Sequence, residues 1–253
     1  MKSIASGLSR RFFVQAAAAA GLAGGLGLPP RVFAADKIKP TAKSALIVVD
    51  VQNCFVDGGT LPVKGGAEIV PVINNLAAAF ENVVVTQDWH TPEHTSFASA
   101  HSGKKPFDTA QLPYGTQVLW PDHCVQGSDD AALVSGLKLP NAELIIRKGF
   151  HKDVDSYSAF EEADRKTSTG LAAYLKARGI DTVFICGLAT DFCVAWSAED
   201  AARLGYDVTI IEDACRAIAL PTQDGRTTMD EARERLTALG VRFIVSSALI
   251  PAH

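Results

Sequence analysis

No surplus of positive charge marks this chain. Its 24 lysines and arginines stand against 28 acidic residues, a net charge of −4 over 253 residues. A nucleic-acid partner held by a basic face is therefore not expected. Long apolar runs are missing too: none reaches the roughly 18 residues that cross a bilayer. Five cysteines are too few for a disulfide-stapled miniprotein of this length. Their odd number leaves at least one without a partner in the chain. No internal repeat is visible. What is present is ordinary globular composition, 47% hydrophobic and 21% charged residues. That excludes an intrinsically disordered chain and fits one large domain or two small ones.

Residues 1–34 differ in kind from the rest. Ser9-Arg10-Arg11-Phe12-Phe13 is a basic head, Val14 to Leu28 is rich in alanine and glycine, and small residues close the stretch at Ala34-Ala35. This pattern reads as a removable secretory signal, not a fold element. The twin arginines followed by phenylalanine resemble the Tat export signal of bacteria. Cleavage after Ala34, a periplasmic location, passage through the Tat machinery and no stable membrane insertion after processing are the expectations. Without Lys2, Arg10, Arg11 and Arg31 the 24 basic residues fall to 20 against 28 acidic ones, a net charge of −8.

Residues 35–253 read as one domain. Ser44 to Asp50 is a continuous apolar run, as in a strand buried on both faces. Further strands are predicted over 82–87, 143–147, 181–186, 207–212 and 241–245. Helical spacing runs through 67–80, 169–177 (stopped by Gly179) and 228–239, and Asp191 is predicted to cap a helix to about Leu204. Strand and helix alternate, so the predicted fold is α/β: doubly wound, with a six-stranded, mainly parallel sheet and helices on both faces. Residues 88–142 lack a periodic element. A loop that long in a compact domain is usually functional or misassigned; its content favours function, since it holds four of the six histidines and two of the three tryptophans.

Ligands of open α/β sheets bind beyond the carboxyl ends of the strands. Polar residues collect there: Asp50 after the first strand, Asp88 and His90 after the second, Lys148 after the third, Asp191 and Cys193 after the fourth. An Asp at a strand end is commonly a turn residue, and a lone Cys a small buried hydrophobe. The convergence of acid, base and thiol on one rim is what points to a site. Cys193 would fall in a first helical turn, where the helix dipole and a nearby lysine favour its thiolate and backbone N–H groups can hold an oxyanion. Cys186 sits within a strand, and Cys54, Cys124 and Cys215 read as packing residues, the first two near the presumed site.

Asp88-Trp89-His90, His94 and His123 form a second group. Asp-x-His offers an oxygen and a nitrogen ligand on one short segment, and a distant histidine can complete a face while leaving positions open. Mixed oxygen and nitrogen donors suit zinc, manganese or iron. From spacing alone, a metal site and a set of surface-loop histidines stay equally open. His101, His151 and His253 have no matching partners.

Several segments together resemble the nicotinamidases. They are Asp50-Val51-Gln52-Asn53-Cys54-Phe55 with Gly59-Thr60-Leu61-Pro62-Val63; Thr86-Gln87-Asp88-Trp89-His90 with His94-Thr95-Ser96-Phe97; Trp120-Pro121-Asp122-His123-Cys124-Val125-Gln126-Gly127; Lys148-Gly149; and Gly187-Leu188-Ala189-Thr190-Asp191-Phe192-Cys193-Val194. Nicotinamidases, also active on pyrazinamide, belong to the isochorismatase-like cysteine hydrolases, and the match runs in order from about Ala45 to Val245. The resemblance implies a nicotinamide-hydrolysing enzyme of pyridine nucleotide salvage with Cys193 as nucleophile, Asp50 as general base and Lys148 stabilising the thiolate. It implies an oxyanion hole from the Ala189 and Cys193 amides beside a cis Leu188–Ala189 peptide. It also implies one divalent metal ion, with Zn²⁺ first and Fe²⁺ or Mn²⁺ as alternatives, on Asp88, His90 and His123, with His94 reaching it directly or through water. Phe55, Trp120, Tyr157 and Leu188 would contact the substrate ring. The expected partner is the small molecule nicotinamide, with a homo-oligomer left open. Rival readings are an isochorismatase-like amidase for a non-pyridine amide, an exported metal- or pyridine-binding protein without catalysis, and a metal–water hydrolase in which Cys193 is only structural.

Overall fold

A computed structural model describes residues 37–250. The expected leader and its cleavage point lie outside the described residues.

The first strand, β1 (Ser44–Val49), is buried at every position, which is why its sequence shows no polar alternation. It pairs in parallel with β2 (Asn82–Asp88) on one side and β6 (Thr182–Leu188) on the other. With β5 (Ala142–Lys148), β7 (Asp207–Arg216) and β8 (Arg242–Ile244) they form a six-stranded sheet in the order β5-β2-β1-β6-β7-β8, parallel at every pair. The helices are α1 (Ile69–Ala77), α2 (Leu171–Ala177), α3 (Ala195–Arg203) and α4 (Thr228–Ala238). The chain leaves β1 toward β2 through α1 and leaves β6 toward β7 through α3, in opposite directions across the sheet. Right-handed crossovers therefore put α1 and α3 on opposite faces. The doubly wound α/β expectation holds.

The direction of winding reverses between β1 and β6, and that switch point opens a crevice at the carboxyl ends of the strands. Register sets what meets there. Asp88 and Lys148 are direct partners on β2 and β5, and Val49, just before Asp50, faces Gly187 of β6. Gly187 has φ +122, and a Cβ there would stand 2.0 Å from the Val49 carbonyl oxygen. Only glycine lets the two strand ends lie this close.

Three local expectations are corrected. The segment 88–142 is not without periodic structure: β3 (Thr109–Leu112) and β4 (Gly115–Val118) form an antiparallel hairpin. Its strands are four residues each and largely exposed, too short for an apolar alternation to show. Asp191 does not cap a helix. The chain enters α3 through a wide turn over Thr190–Val194, flanked by Ala189. The Asp191 carboxylate instead accepts the Ile218 and Ala219 amides at 3.0 and 2.8 Å, and the Thr228 hydroxyl. Lastly, Cys54 and Cys124 are not separate packing residues: they form a disulfide. Cysteine pairing cannot be read from spacing alone.

Candidate active site

Cys193 lies in the turn that leads into α3 and is buried. The Lys148 ammonium stands 3.3 Å from its sulfur, donates to the Ser156 carbonyl at 3.0 Å and pairs with both Asp50 (2.8 Å) and Asp88. The Asp50 pair is a charge contact rather than an aligned hydrogen bond. Oxygens of Asp50 and Asp88 and the Cys193 sulfur all lie within 4.8 Å of one another. Asp50 takes φ +49 at the end of β1. Thr86 holds it there: its hydroxyl accepts the Asp50 N–H at 3.1 Å and donates to Asp50 Oδ1 at 2.5 Å.

Two buried carboxylates against one buried ammonium leave a surplus of negative charge, which is costly away from water. The titration directions follow. Burial pushes the Asp50 carboxyl up, Asp88 adds to the effect, and Lys148 offsets it only in part. Burial alone would also raise Asp88, but Lys148 and His90 hold it well below the usual carboxylate range. Burial works against the Lys148 charge, yet Asp50, Asp88 and Cys193 keep it protonated, well above the usual lysine range. Burial pushes the Cys193 thiol well up; Lys148 opposes this, and the two carboxylates reinforce it. These directions run against the easy ionisation expected at a helix start, because loss of water and two anions oppose one lysine.

Beside this cluster the Asp88 Oδ2 atom faces His90 Nε2 at 3.5 Å and His123 Nε2 at 3.7 Å. The other ring nitrogens are engaged: His90 Nδ1 meets the Gly149 carbonyl at 3.1 Å, and His123 Nδ1 the Pro121 carbonyl at 2.8 Å. Carbonyls only accept, so Nδ1 carries a proton in either state; Nε2 can donate to the carboxylate while the ring is charged, or give up that proton and turn its lone pair to a bound cation, as in metal-ligating histidines. Ligand atoms about 2.05 Å from a tetrahedral zinc lie about 3.3 Å apart, close to this spacing. The set fits a divalent cation, which would also offset the negative surplus. His94 stands differently. Its Nε2 donates to the His151 and Val154 carbonyls at 3.0 and 3.2 Å, and its Nδ1 accepts from Ser96 at 2.8 Å. Burial and His90 push it down to about 4, so it is a neutral ring packed 4.3 Å from His90.

A cavity opens between the thiol and the Asp88–His90–His123 set, with Phe55, Trp120, Tyr157 and Ala189 on its wall. The Tyr157 hydroxyl accepts from Trp120 Nε1 and Gln117 Nε2, both at 2.9 Å, which fixes two wall rings against each other. A thiol, a carboxylate able to hold its proton, a permanent ammonium and a cation site facing one aromatic slot can together perform covalent hydrolysis of a flat, polar molecule.

Residues 44–238 match the isochorismatase domain. The chain belongs to that family. It is 57% identical over 214 residues, 85% of this chain and 98% of the relative, to a nicotinamidase of Acinetobacter baylyi. Among solved structures, the Acinetobacter baumanii nicotinamidase pyrazinamidease is 54% identical, with TM-score 0.80 over 84% of this chain and all of that one. The Pyrococcus horikoshii pyrazinamidase in complex with zinc is 32% identical, with TM-score 0.64 over 80% of this chain and 99% of that one.

Within this isochorismatase domain the Leu188–Ala189 peptide is cis, as the resemblance implied. Leu188 is fully buried, with Cδ1 3.3 Å from where a Cβ on Gly66 would stand, and is not among the residues that line the cavity. Other residues escaped the sequence reading. Leu61, Asp155, Phe192 and Ile218 also line the cavity, and Ile218 arrives there through the Asp191 anchor on its amide. Gln52 clamps Asp88, accepting its N–H and donating to its carbonyl, both at 2.8 Å. Thr86 had a readable signal: two residues before Asp88 on one strand, it shares that residue's face.

Gly149 is a further requirement. It has φ +62, and a Cβ there would stand 2.4 Å from His90 Cε1 and 2.5 Å from Nδ1. Gly149→Ala is expected to push the His90 ring off its carbonyl partner and weaken metal affinity about tenfold or more. Metal titration of the folded variant checks this; wild-type affinity would contradict it.

Proposed function

We propose that this hydrolase converts nicotinamide, and pyrazinamide, to the free acid and ammonia through a thioester on Cys193. The observation that carries the reading is the Cys193 sulfur beside Lys148 and Asp50 in the same cavity as the Asp88–His90–His123 set. The likeness to nicotinamidases from end to end of the relative supports it. When bound, a divalent cation supplies a Lewis-acid contact for the lone pair of the pyridine nitrogen. The likeness to a zinc-bound pyrazinamidase favours zinc there.

Phe55, Trp120 and Tyr157 hold the ring flat and point its carboxamide at the sulfur. Asp50 takes the thiol proton as the sulfur attacks the carboxamide carbon. Its raised pKa is the direction a base needs. The carbonyl electron pair moves onto oxygen, toward the Ala189 and Cys193 amides. Asp50 then passes the proton to the amide nitrogen, the C–N bond breaks and ammonia leaves. Water, losing a proton to Asp50, attacks the thioester; the C–S bond breaks, the sulfur recovers the proton and the carboxylate departs. Lys148 stays charged throughout and offsets the negative charge that passes over the sulfur.

The test is deamidation by the purified chain with and without a chelator. Nicotinate and ammonia are expected in equal amounts, lost on chelation and restored by added divalent metal. Turnover of non-pyridine amides with none of nicotinamide would overturn the reading.

A further inference from the structure

The Cys54–Cys124 disulfide takes part in no step above, yet it sits where it can govern the cation site. It joins residues 70 apart in sequence, and each half adjoins in the chain a residue that lines the cavity. Cys54 precedes Phe55 and Cys124 follows His123; the Phe55 and His123 rings are 5.6 Å apart. Cys124 is tied to the second imidazole as well, because its carbonyl accepts the His90 N–H at 3.1 Å. One residue thus adjoins two of the three donor residues, through the chain on one side and a hydrogen bond on the other.

Cys124 also holds φ +46, a left-handed conformation that a residue other than glycine keeps only when its surroundings impose it. Two restraints do so. One is the cross-link. The other is Asp130, whose Oδ2 accepts the Cys124 N–H at 3.0 Å and whose carbonyl accepts the Cys54 N–H at 2.8 Å.

We propose that the Cys54–Cys124 disulfide is a positioning element for the cation site, so that the oxidised chain binds a divalent cation more tightly than the reduced chain. The proposal rests on Asp88, His90 and His123 being the ligand set. Cutting the cross-link leaves only hydrogen bonds, to Asp130 and to the His90 segment, to hold Cys124. His123 and the His90 amide then gain freedom that binding must remove, and affinity falls for lack of preorganisation. With a phosphine reductant the reaction balances: the phosphine gives two electrons and becomes its oxide with oxygen from water, the S–S bond breaks, and the two sulfurs take up the two protons. Cross-links of this kind persist in oxidising compartments, so the affinity would follow the redox state of the compartment that holds the chain.

The experiment measures Zn²⁺ affinity of the purified chain by competition with a chromophoric chelator. The samples are oxidised chain, chain reduced with a phosphine that is then removed, reoxidised chain, and the Cys54→Ser/Cys124→Ser variant. A thiol count under denaturing conditions reports the redox state. The expected count is the three free cysteines 186, 193 and 215 before reduction and all five after it. Reduction is expected to raise the Kd about tenfold or more, reoxidation to restore it, and the variant to match the reduced chain. The KM for nicotinamide should rise on reduction, with kcat unchanged at saturating metal. A purely structural cross-link would lower Tm and leave the Kd alone. Equal Kd values with five thiols counted would overturn the proposal, as would five thiols in the chain before reduction. The reversible wild-type comparison decides even if the variant fails to fold. An oxidised chain that binds no metal would instead sink the ligand assignment, a different and recognisable failure.

Discussion

Cys193→Ala is expected to lower amide turnover by about four orders of magnitude or more, with metal content and fold unchanged. The sulfur is the group placed to form a bond to substrate, between the Lys148 ammonium at 3.3 Å and the Asp50 carboxylate. The hydrogen bond it gives up in the variant is the one from the Lys148 ammonium. Lys148 keeps its pairs with Asp50 and Asp88 in the variant, so no buried charge is stranded. The variant should therefore fold, bind the cation and bind nicotinamide. Ammonia release, metal per chain and ligand binding measured on one preparation separate the two roles the thiol could have. A merely structural thiol, with a cation-bound water as nucleophile, would leave turnover near wild type, and that result would remove the covalent step.

The second large effect is expected at the cation ligands. Asp88→Ala and His123→Ala should each weaken metal affinity by more than about 100-fold and raise the KM for nicotinamide steeply. The two variants differ in one further respect. Asp88 also pairs with Lys148, so its removal leaves Lys148 and Asp50 as a one-to-one pair in place of two anions around one cation. That relieves the negative surplus, and the metal-free Asp88→Ala chain should keep its fold. His123→Ala leaves the Lys148 pairs untouched and removes ring contacts with Phe55 and Phe97 and one hydrogen bond to the Pro121 carbonyl, so its loss should be recovered in part at high metal concentration. Equilibrium dialysis of both variants against zinc, followed by initial rates across a metal series, reads these outcomes. Full metal occupancy in both would show that the donors lie elsewhere.

Much of this arrangement is legible in the sequence. A parallel sheet buried on both faces writes itself as uninterrupted apolar runs, so β1 stood out, and the first polar residue after each run marked the rim. Asp50 is such a residue, Asp88 and Lys148 lie where their strands end, and Cys193 follows the turn after the fourth. What stayed hidden depended on geometry across the chain. Asp191 has the composition of a helix cap, but its oxygens serve amides at 218 and 219 that no local pattern connects to it. Leu188 follows the strand into the core and not the cavity. For Cys193, a dipole and a lysine can be read from sequence, while the loss of water and two inward carboxylates that oppose them cannot. The hairpin over 109–118 is short and exposed, yet it brings Gln117 to the Tyr157 hydroxyl. The cysteine pair needed both walls of the crevice in place before it could be recognised.

A single-turnover rapid-quench experiment with enzyme in excess over nicotinamide tests the covalent step most directly. Ammonia is expected to appear ahead of nicotinate, and acid-quenched chain should carry the mass of one nicotinoyl group on the peptide containing Cys193. Ammonia and nicotinate rising together, with no acylated peptide at any quench time, would contradict it.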